Sequence, residues 1–452
     1  MPTLDDIKLD KSNREFNYAA NLVENSNQLI YLTGKAGTGK TTFLKYIKET
    51  TSKKTVVLAP TGVAALNAGG QTIHSFFRIA PSLYLPEDIR LRTESDPEIE
   101  DQRTIFDHFK YRKEQLKLIR EMELLIIDEV SMMRCDLLDL VDRLLRVFRD
   151  RQDEVFGGVQ VVLIGDAFQL PPIVKDAEWK IMNFYYETPF FFSSKVLTEN
   201  EFTYIELKKI YRQKDAKFID LLNRIRLNTV TENEIHNLNT RFIPAIVKND
   251  NLNHIIIATH NTIVDQTNER KLMEITSPLL TYEAEVTDGF SESMMPTEKI
   301  LRLKEGAQVM FIRNDPERKY YNGKIARIKE LTDRKIIVRM DDGNEIEVKK
   351  YTWSNIKYKW DSSSKKIIEE KAGEFTQYPI KLAWAVTVHK CQGLTFDNII
   401  ADLRDSFAPG QVYVALSRCT SLEGLVLKST LNRNVIKTDP HVLKFAERET
   451  RV

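Results

Sequence analysis

A glycine-rich run, GKAGTGKT at residues 34–41, holds the residue types that wrap a triphosphate. Gly34, Gly37 and Gly39 let backbone amides turn inward, and Ala36 and Thr38 add their amides to the same cradle. Lys40 brings a charge to the β and γ phosphates, Thr41 offers a hydroxyl to Mg²⁺, and Thr42 extends the amide row into the following helix. Asp128 and Glu129 end the apolar run Leu124–Ile127. There Asp128 suits a Mg²⁺-bound water, and Glu129 suits orienting and deprotonating an attacking water. In GDAFQLPP at 165–172, Asp166 and Gln169 follow another apolar run, and Gln169 can hydrogen-bond both the γ phosphate and the attacking water. Far downstream, Arg212 in KKIYRQ and Arg418 in VALSRCT suit the charge that develops on a transferred phosphoryl group. Such an arginine raises P-loop ATPase turnover by ~10³–10⁵-fold. Gln392 and Gly393 face the same cleft. The chemistry implied is hydrolysis of ATP with Mg²⁺ between two domains.

A second set of residues suits a nucleic-acid strand. Pro60, Thr61 and Gly62 stand at a strand-to-helix turn, where hydroxyl and amide donors fit a backbone phosphate. His74 and Ser75 add donors, and Phe76 adds an aromatic able to stack a base. Thr259, His260 and Asn261 repeat the order of strand, polar turn and helix. Thr387, His389 and Lys390 lie just before Gln392, so strand contacts and nucleotide contacts share one segment. Taken singly, His74 also reads as a structural histidine. Tyr320, Tyr321, Tyr351, Trp353, Tyr358 and Trp360 can stack bases, but taken singly each reads first as a packing or hairpin aromatic.

These residues need a frame. The short branched runs 56–59, 124–127 and 161–164 alternate with helix-like segments, which predicts a parallel sheet covered on both faces, with ligands at the strands' carboxyl ends. Residues 78–120 break that rhythm with Pro81, Pro86, Pro97 and the acidic ESDPEIED, and read as a small insertion able to present a wedge. Residues 135–148 follow helical spacing, with Arg143, Arg146 and Arg149 on the wetter side. From 299 onward, AQVMFI, KIARIKEL, KIIVRM and NEIEVKK are β-like runs, and DDGN at 341–344 is a hairpin signal. The predicted organisation is α/β. A first domain covers 1–200 with its insertion at about 78–120, a second covers 201–298 and 370–452, and a small β-barrel occupies 299–369.

The 452 residues can bury several cores. With 29% charged and 42% hydrophobic residues, and no apolar run near the roughly 18 residues of a membrane span, no membrane association is expected. The polar, acidic start has no secretory leader pattern, so a cytoplasmic setting is expected. Three scattered cysteines exclude a four-cysteine zinc site. A net charge of +1 neither favours nor excludes a nucleic-acid partner, because a local groove can be basic on a balanced surface.

In order and spacing, GKAGTGKT, APTGVAALNAGGQTIHSFF, IIDEVSMM, LIGDAFQLPP, KKIYRQ, AWAVTVHKCQGLT and VYVALSRCTS resemble superfamily 1B DNA helicases. The specific resemblance is to the petite-integration-frequency family, and a more distant one is to the alpha subunit of bacterial exonuclease V. It implies two RecA-like P-loop motor domains, a small wedge insertion and an SH3-like β-barrel insertion. It also implies a monomer driven by ATP and Mg²⁺, moving 5′ to 3′ on single-stranded DNA and opening single-strand/duplex junctions, forks or G-quadruplex DNA. Roles in repair, recombination and telomere maintenance go with it, and a nucleoid location if the source is bacterial. The family's N-terminal adenine-reading glutamine has no counterpart in residues 9–16, where Asn13 stands. Two other functions stay open on the residues: an RNA helicase, and an ATP-switched nucleic-acid-binding protein without processive unwinding.

Overall fold

The computed structural model describes residues 13–213, 215–247, 254–317 and 319–449, so residues 9–12 of the segment considered for adenine recognition lie outside it. Strands β1 (Ile30–Gly34), β2 (Thr55–Ala59), β3 (Gln71–Thr72), β4 (Leu124–Ile127), β5 (Gln160–Ile164) and β6 (Thr203–Leu207) form one sheet in the order β3-β2-β4-β5-β1-β6. Every pairing in it is parallel. The pleat divides the apolar runs between two cores. Tyr31, Leu125, Ile127, Val161 and Leu163 face one side, and Ile30, Leu32, Leu124, Ile126 and Val162 face the other, against Phe43, Leu44 and Ile47 of the helix Lys40–Thr50.

The segment 78–120 contributes no strand and carries the short helix Ile105–His108. Arginines of the helix Cys135–Phe148 and its end tie it down. Arg143 Nη2 donates to the Leu91 carbonyl at 3.3 Å, and Arg149 Nη1 donates to the carbonyls of Ile119 at 2.5 Å and Met122 at 2.9 Å. Arg143 and Arg149 therefore tie the insertion to this helix.

β6 keeps residues 203–207 in the first sheet, so the expected limit at 200 needs correction, and the second α/β unit follows it; its strands open with β7 (Ile255–Ala258), are interrupted by an insertion, and close with three further strands. The insertion comprises β8 (Leu280–Glu283), β9 (Glu285–Val286), β10 (Ile300–Leu303), β11 (Gln308–Phe311), β12 (Ile325–Thr332), β13 (Lys335–Arg339), β14 (Glu345–Val348), β15 (Tyr351–Asp361), β16 (Lys366–Gln377) and β17 (Ile380–Leu382). Five of these form the sheet β14-β13-β12-β11-β17, all antiparallel. The DDGN turn joins β13 to β14, with Arg339 opposite Glu345. The expected limits 299 and 369 both need correction: β8 and β9 precede the first, and the second cuts β16, which with β17 still belongs to the insertion. The strand KIIEEKAGEFTQ is mostly polar and its first half largely exposed, so periodicity conceals it. After the insertion, β18 (Ala385–Thr387), β19 (Ile399–Asp402) and β20 (Leu425–Leu427) join β7 in a parallel sheet ordered β18-β7-β19-β20.

β15 and β16 pair along their whole length as a long hairpin that leans on the first sheet. The Tyr358 hydroxyl accepts the Val57 amide hydrogen at 3.1 Å, completing part of β2's open edge beyond the two-residue β3. Trp360 lies beneath the ammonium groups of Lys54 and Lys117, at 5.4 and 5.6 Å. Both aromatics are buried, so the packing role is the one the structure gives them.

Candidate active site

The phosphate loop leaves β1 and feeds the helix Lys40–Thr50. Gly37 has φ +82°, and a Cβ there would overlap Cβ of Arg212, so glycine is required both by backbone and by close approach. Thr38 is buried and its hydroxyl donates to the Lys35 carbonyl at 2.9 Å. Lys40 Nζ bonds the carbonyls of Gly34 at 2.5 Å and Lys35 at 3.2 Å, inside the mouth of its own loop. Thr41 and Thr42 are exposed in the helix's first turn. Gly34 ends the strand and Gly39 caps the helix, so residues 34–42 form one strand-to-helix loop.

Asp128 and Glu129 follow β4, and Asp166 and Gln169 follow β5, at the same carboxyl edge of the sheet. Glu129 adopts φ +52°, a left-handed conformation rare for a side chain of this size. Asp128 accepts the Glu129 amide hydrogen at 3.0 Å. Burial first, and the Glu129 charge second, push the Asp128 carboxyl up to about 7. Burial also raises Glu129, against the opposing pull of Lys40 and Arg418.

The second unit completes the site. Gln392 Nε2 donates to Glu129 Oε2 and to Gln169 Oε1, each at 3.0 Å, joining residues of both sheets. Its own oxygen is buried without a hydrogen-bond partner among the described residues. The Tyr211 amide donates to the Gly37 carbonyl at 2.8 Å, which lays KKIYRQ directly on the phosphate loop. Arg212 Nη1 then donates to the Ser417 carbonyl at 3.2 Å. Arg418, 2% exposed, donates from Nε to the Val414 carbonyl at 2.9 Å and from Nη2 to the Ser417 hydroxyl at 3.0 Å. Burial, then the neighbouring Arg418 charge, bring Arg212 down to about 9. Among the described residues the two guanidiniums, Arg418 buried and Arg212 half-buried, hydrogen-bond to neutral groups, an environment that an anion would complete. A Cβ on Gly393, which follows Gln392, would meet nothing within 4 Å among the described residues. Gly410, by contrast, has φ +77° and sits where a Cβ would overlap the Phe168 and Gln169 carbonyls, so the second unit presses backbone against backbone there.

The residues proposed for a strand lie at the carboxyl edges of neighbouring strands, two groups per sheet. Pro60, Thr61 and Gly62 follow β2, and His74 and Ser75 occupy the helix Ile73–Phe77 after β3. Thr61 caps the helix Gly62–Ala68 by accepting the Ala64 amide hydrogen at 3.2 Å. His74 is half-buried, its pKa lowered by burial and then by Arg134. Ser75 accepts from Gln71 Nε2 at 2.9 Å. Phe76 corrects the expectation: it is 1% exposed, edge-on to Phe77 at 4.8 Å, and belongs to the core because the short helix turns its ring inward. In the second unit, Thr387 pairs beside Ala258, bringing the two segments together. The hydroxyls of Thr259 and Thr387 are buried on local partners, His260 Nδ1 at 2.8 Å and the Lys390 amide at 3.3 Å, so neither is open to a strand in this arrangement. His260, Asn261 and Lys390 are exposed, and burial lowers the pKa of half-buried His389.

Two residues at the site, Tyr413 and Arg226, had no distinguishing sequence signal, because each sits in a packed helix; they reach Asp166 at 3.5 and 2.9 Å. Asn13, which the sequence placed where an adenine-reading residue would stand, caps the helix Arg14–Asn25 and donates to the Tyr211 hydroxyl at 3.3 Å.

Comparison with known proteins matches this arrangement. Residues 9–236 fit the family model described as PIF1-like helicase. The chain is 31% identical over 434 residues to the ATP-dependent DNA helicase Pif1 of Bdellovibrio bacteriovorus, covering 93% of this chain and 88% of that protein. It is 32% identical over 444 residues to the ATP-dependent DNA helicase PIF1 of Danio rerio, where it covers 94% of this chain but spans only 62% of the relative's length. Among solved structures, Pif1 of Bacteroides sp in complex with ADP-AlF4 shares 41% identity and a TM-score of 0.88, covering 97% of each chain. The same relative bound to single-stranded DNA, at the same 41% identity and 97% coverage of each chain, has a TM-score of 0.66. The phosphate loop, the acid pair and Arg212 all lie within the residues that the family model matches, and the chain belongs to the PIF1-like helicases.

Proposed function

We propose that this chain is an ATP-driven motor that moves 5′ to 3′ along single-stranded DNA and opens duplex, forked or G-quadruplex DNA ahead of it. The observation that carries the reading is the nucleotide site's double wall: Gln392 bonds Glu129 and Gln169 across the two parallel sheets, and Arg212 packs on Gly37 of the phosphate loop. A γ phosphate in that space meets donors from both units, so its arrival and loss change how the units hold one another. Strand-contact segments lie at the same edges, after β2, β3, β7 and β18, which links closure to grip. The relatives' names as DNA helicases, and the Bacteroides structure described as bound to single-stranded DNA, support the choice of DNA.

The residues present fit Mg²⁺ as well as ATP. Buried Asp128 carries a raised pKa beside a second acid, a pair that a divalent cation would relieve, and the exposed Thr41 hydroxyl stands at the loop's exit. Mg²⁺ held by Thr41 and Asp128 supplies charge neutralisation on the phosphates. Glu129 accepts the proton of the attacking water, Gln169 and Gln392 orient that water, and Lys40, Arg212 and Arg418 offset the developing charge. The protein works as a monomer on single-strand/duplex junctions.

Fluorescent duplexes carrying either a 5′ or a 3′ single-stranded tail test motor activity and polarity together. ATP-dependent separation of the 5′-tailed duplex alone is the expected result. Opening only from a 3′ tail rejects the polarity, and no opening despite ATP turnover leaves an ATP-switched binding protein. Stronger stimulation of hydrolysis by RNA than by matched DNA rejects the DNA assignment.

A further inference from the structure

A second polar chain crosses between the units behind the arginine pair. Tyr413, 4% exposed, sits in the helix Gln411–Leu416. Its hydroxyl accepts the Ala36 amide hydrogen at 3.0 Å, on the phosphate loop itself. The same hydroxyl faces Asp166 Oδ2 at 3.5 Å. Asp166 Oδ1 receives Arg226 Nη2 at 2.9 Å, and that guanidinium lies over the Phe168 ring at 3.8 Å. Arg226 is the last residue of the helix Ala216–Arg226. A loop amide, a phenol, a carboxylate and a guanidinium are thus connected in series, and all are buried.

The charges agree with the hydrogen bonds. Burial opposes ionisation of Asp166, but Arg226 and then Lys40 outweigh it and hold the carboxyl below its ordinary range. Burial, and next the Asp166 charge, push the Tyr413 phenol up to about 12, so it keeps its proton for Asp166. The helix bearing Tyr413 ends in the turn that carries Ser417 and Arg418, and Arg418 Nε bonds the carbonyl of Val414, the residue after Tyr413. Whatever fixes Tyr413 therefore fixes where the Arg418 side chain starts. The Ala36 contact fixes it to the loop that would hold the phosphates.

We infer that Tyr413 is a positioning residue for ATP hydrolysis: its hydroxyl registers the Arg418 turn on the phosphate loop, and the Asp166–Arg226 pair holds that hydroxyl in register. The inference rests on the ATP-hydrolysing reading given above. Tyr413→Phe removes the hydroxyl and leaves the ring packing, so steady-state hydrolysis by the full chain at saturating single-stranded DNA is the test. The expected result is a kcat lower by about tenfold or more with KM for ATP within about twofold, because a small misplacement of a catalytic group costs turnover before binding. A purely structural hydroxyl would lower the melting temperature and leave kcat alone. Arg226→Lys loosens the same anchor, so the double variant should be no slower than the slower single variant. Wild-type kcat in Y413F, or single losses that simply multiply in the double variant, overturns the inference; Y413F decides it even where R226K does not fold. A wild-type chain that hydrolyses no ATP overturns the motor reading itself and this inference with it.

Discussion

Glu129 combines a strained backbone, at φ +52°, with a carboxylate held across the cleft by Gln392. A left-handed non-glycine residue costs of order 1–3 kcal/mol and persists where surrounding structure over-determines it. Here the Asp128 carboxylate grips the Glu129 amide, so the strain serves to aim the side chain at the mouth of the loop. Glu129→Gln keeps the shape and removes the base. Fluorescent nucleotide should still bind with near wild-type affinity, while phosphate release falls by at least ~10²-fold; normal turnover would exclude Glu129 as the base. Arg418→Ala should lower DNA-stimulated kcat by roughly 10³-fold with a few-fold change in ATP affinity, as the proposed role of its guanidinium in offsetting the transferred charge requires. Unchanged turnover in that variant would leave Arg418 a packing residue.

The phosphate loop, as an element, is held by what packs on it as much as by its own glycines. Gly37→Ala sets a side chain at φ +82° and against Cβ of Arg212, so it should uncouple KKIYRQ from the loop and abolish hydrolysis; an active G37A protein would show that this contact is dispensable. Elsewhere in the first unit, Asp139 holds the short helix Lys195–Thr198 by accepting the amide hydrogens of Lys195 and Val196, each at 2.9 Å. Burial outweighs those bonds and pushes its carboxyl up to about 6 from an ordinary 3.8. The folded pKa thus lies above the unfolded one. Between the two values the folded chain keeps a proton that the unfolded chain has released, so the contribution is full below about pH 4 and lost as pH rises through about 6. Asp139→Asn cannot titrate. Denaturant melts should therefore show the stability difference, wild type minus D139N, shrinking as pH climbs from 4.5 to 7, by about 2 kcal/mol. A pH-independent difference would refute the assignment.

In the whole molecule, the two parallel sheets and the antiparallel insertion make an arrangement close to the Bacteroides relative with ADP-AlF4, at a TM-score of 0.88, and further from that relative with single-stranded DNA, at 0.66. Equal identity in the two comparisons means that the disposition of parts differs, not the parts themselves. In this chain the hairpin β15–β16 rests on the first unit through Tyr358, Trp360 and the Lys48–Glu369 pair at 2.6 Å. Half-exposed ion pairs of that kind contribute little, about 0–1 kcal/mol, so this is a contact that can be exchanged. Small-angle scattering with and without an oligothymidylate should give distinct profiles as the units rearrange. Superimposable profiles at saturating oligonucleotide would argue against rearrangement on strand binding.

The sequence by itself determined the nucleotide chemistry: a phosphate is gripped by consecutive backbone amides, so its site is written in neighbouring residues, from Gly34 to Thr41 and again at Asp128–Glu129. Strands built of branched runs and the DDGN hairpin were legible for the same local reason. Tertiary structure alone decided the rest. The ring of Phe76 could be assigned to core or surface only once a helix face had a neighbour, and the polar strand β16 acquired its place from pairing with β15 and β9. Tyr413 meets Ala36 across 377 positions of chain and Arg226 meets Asp166 across 60, contacts set by how two sheets pack and not by any spacing that a reader of residues can count.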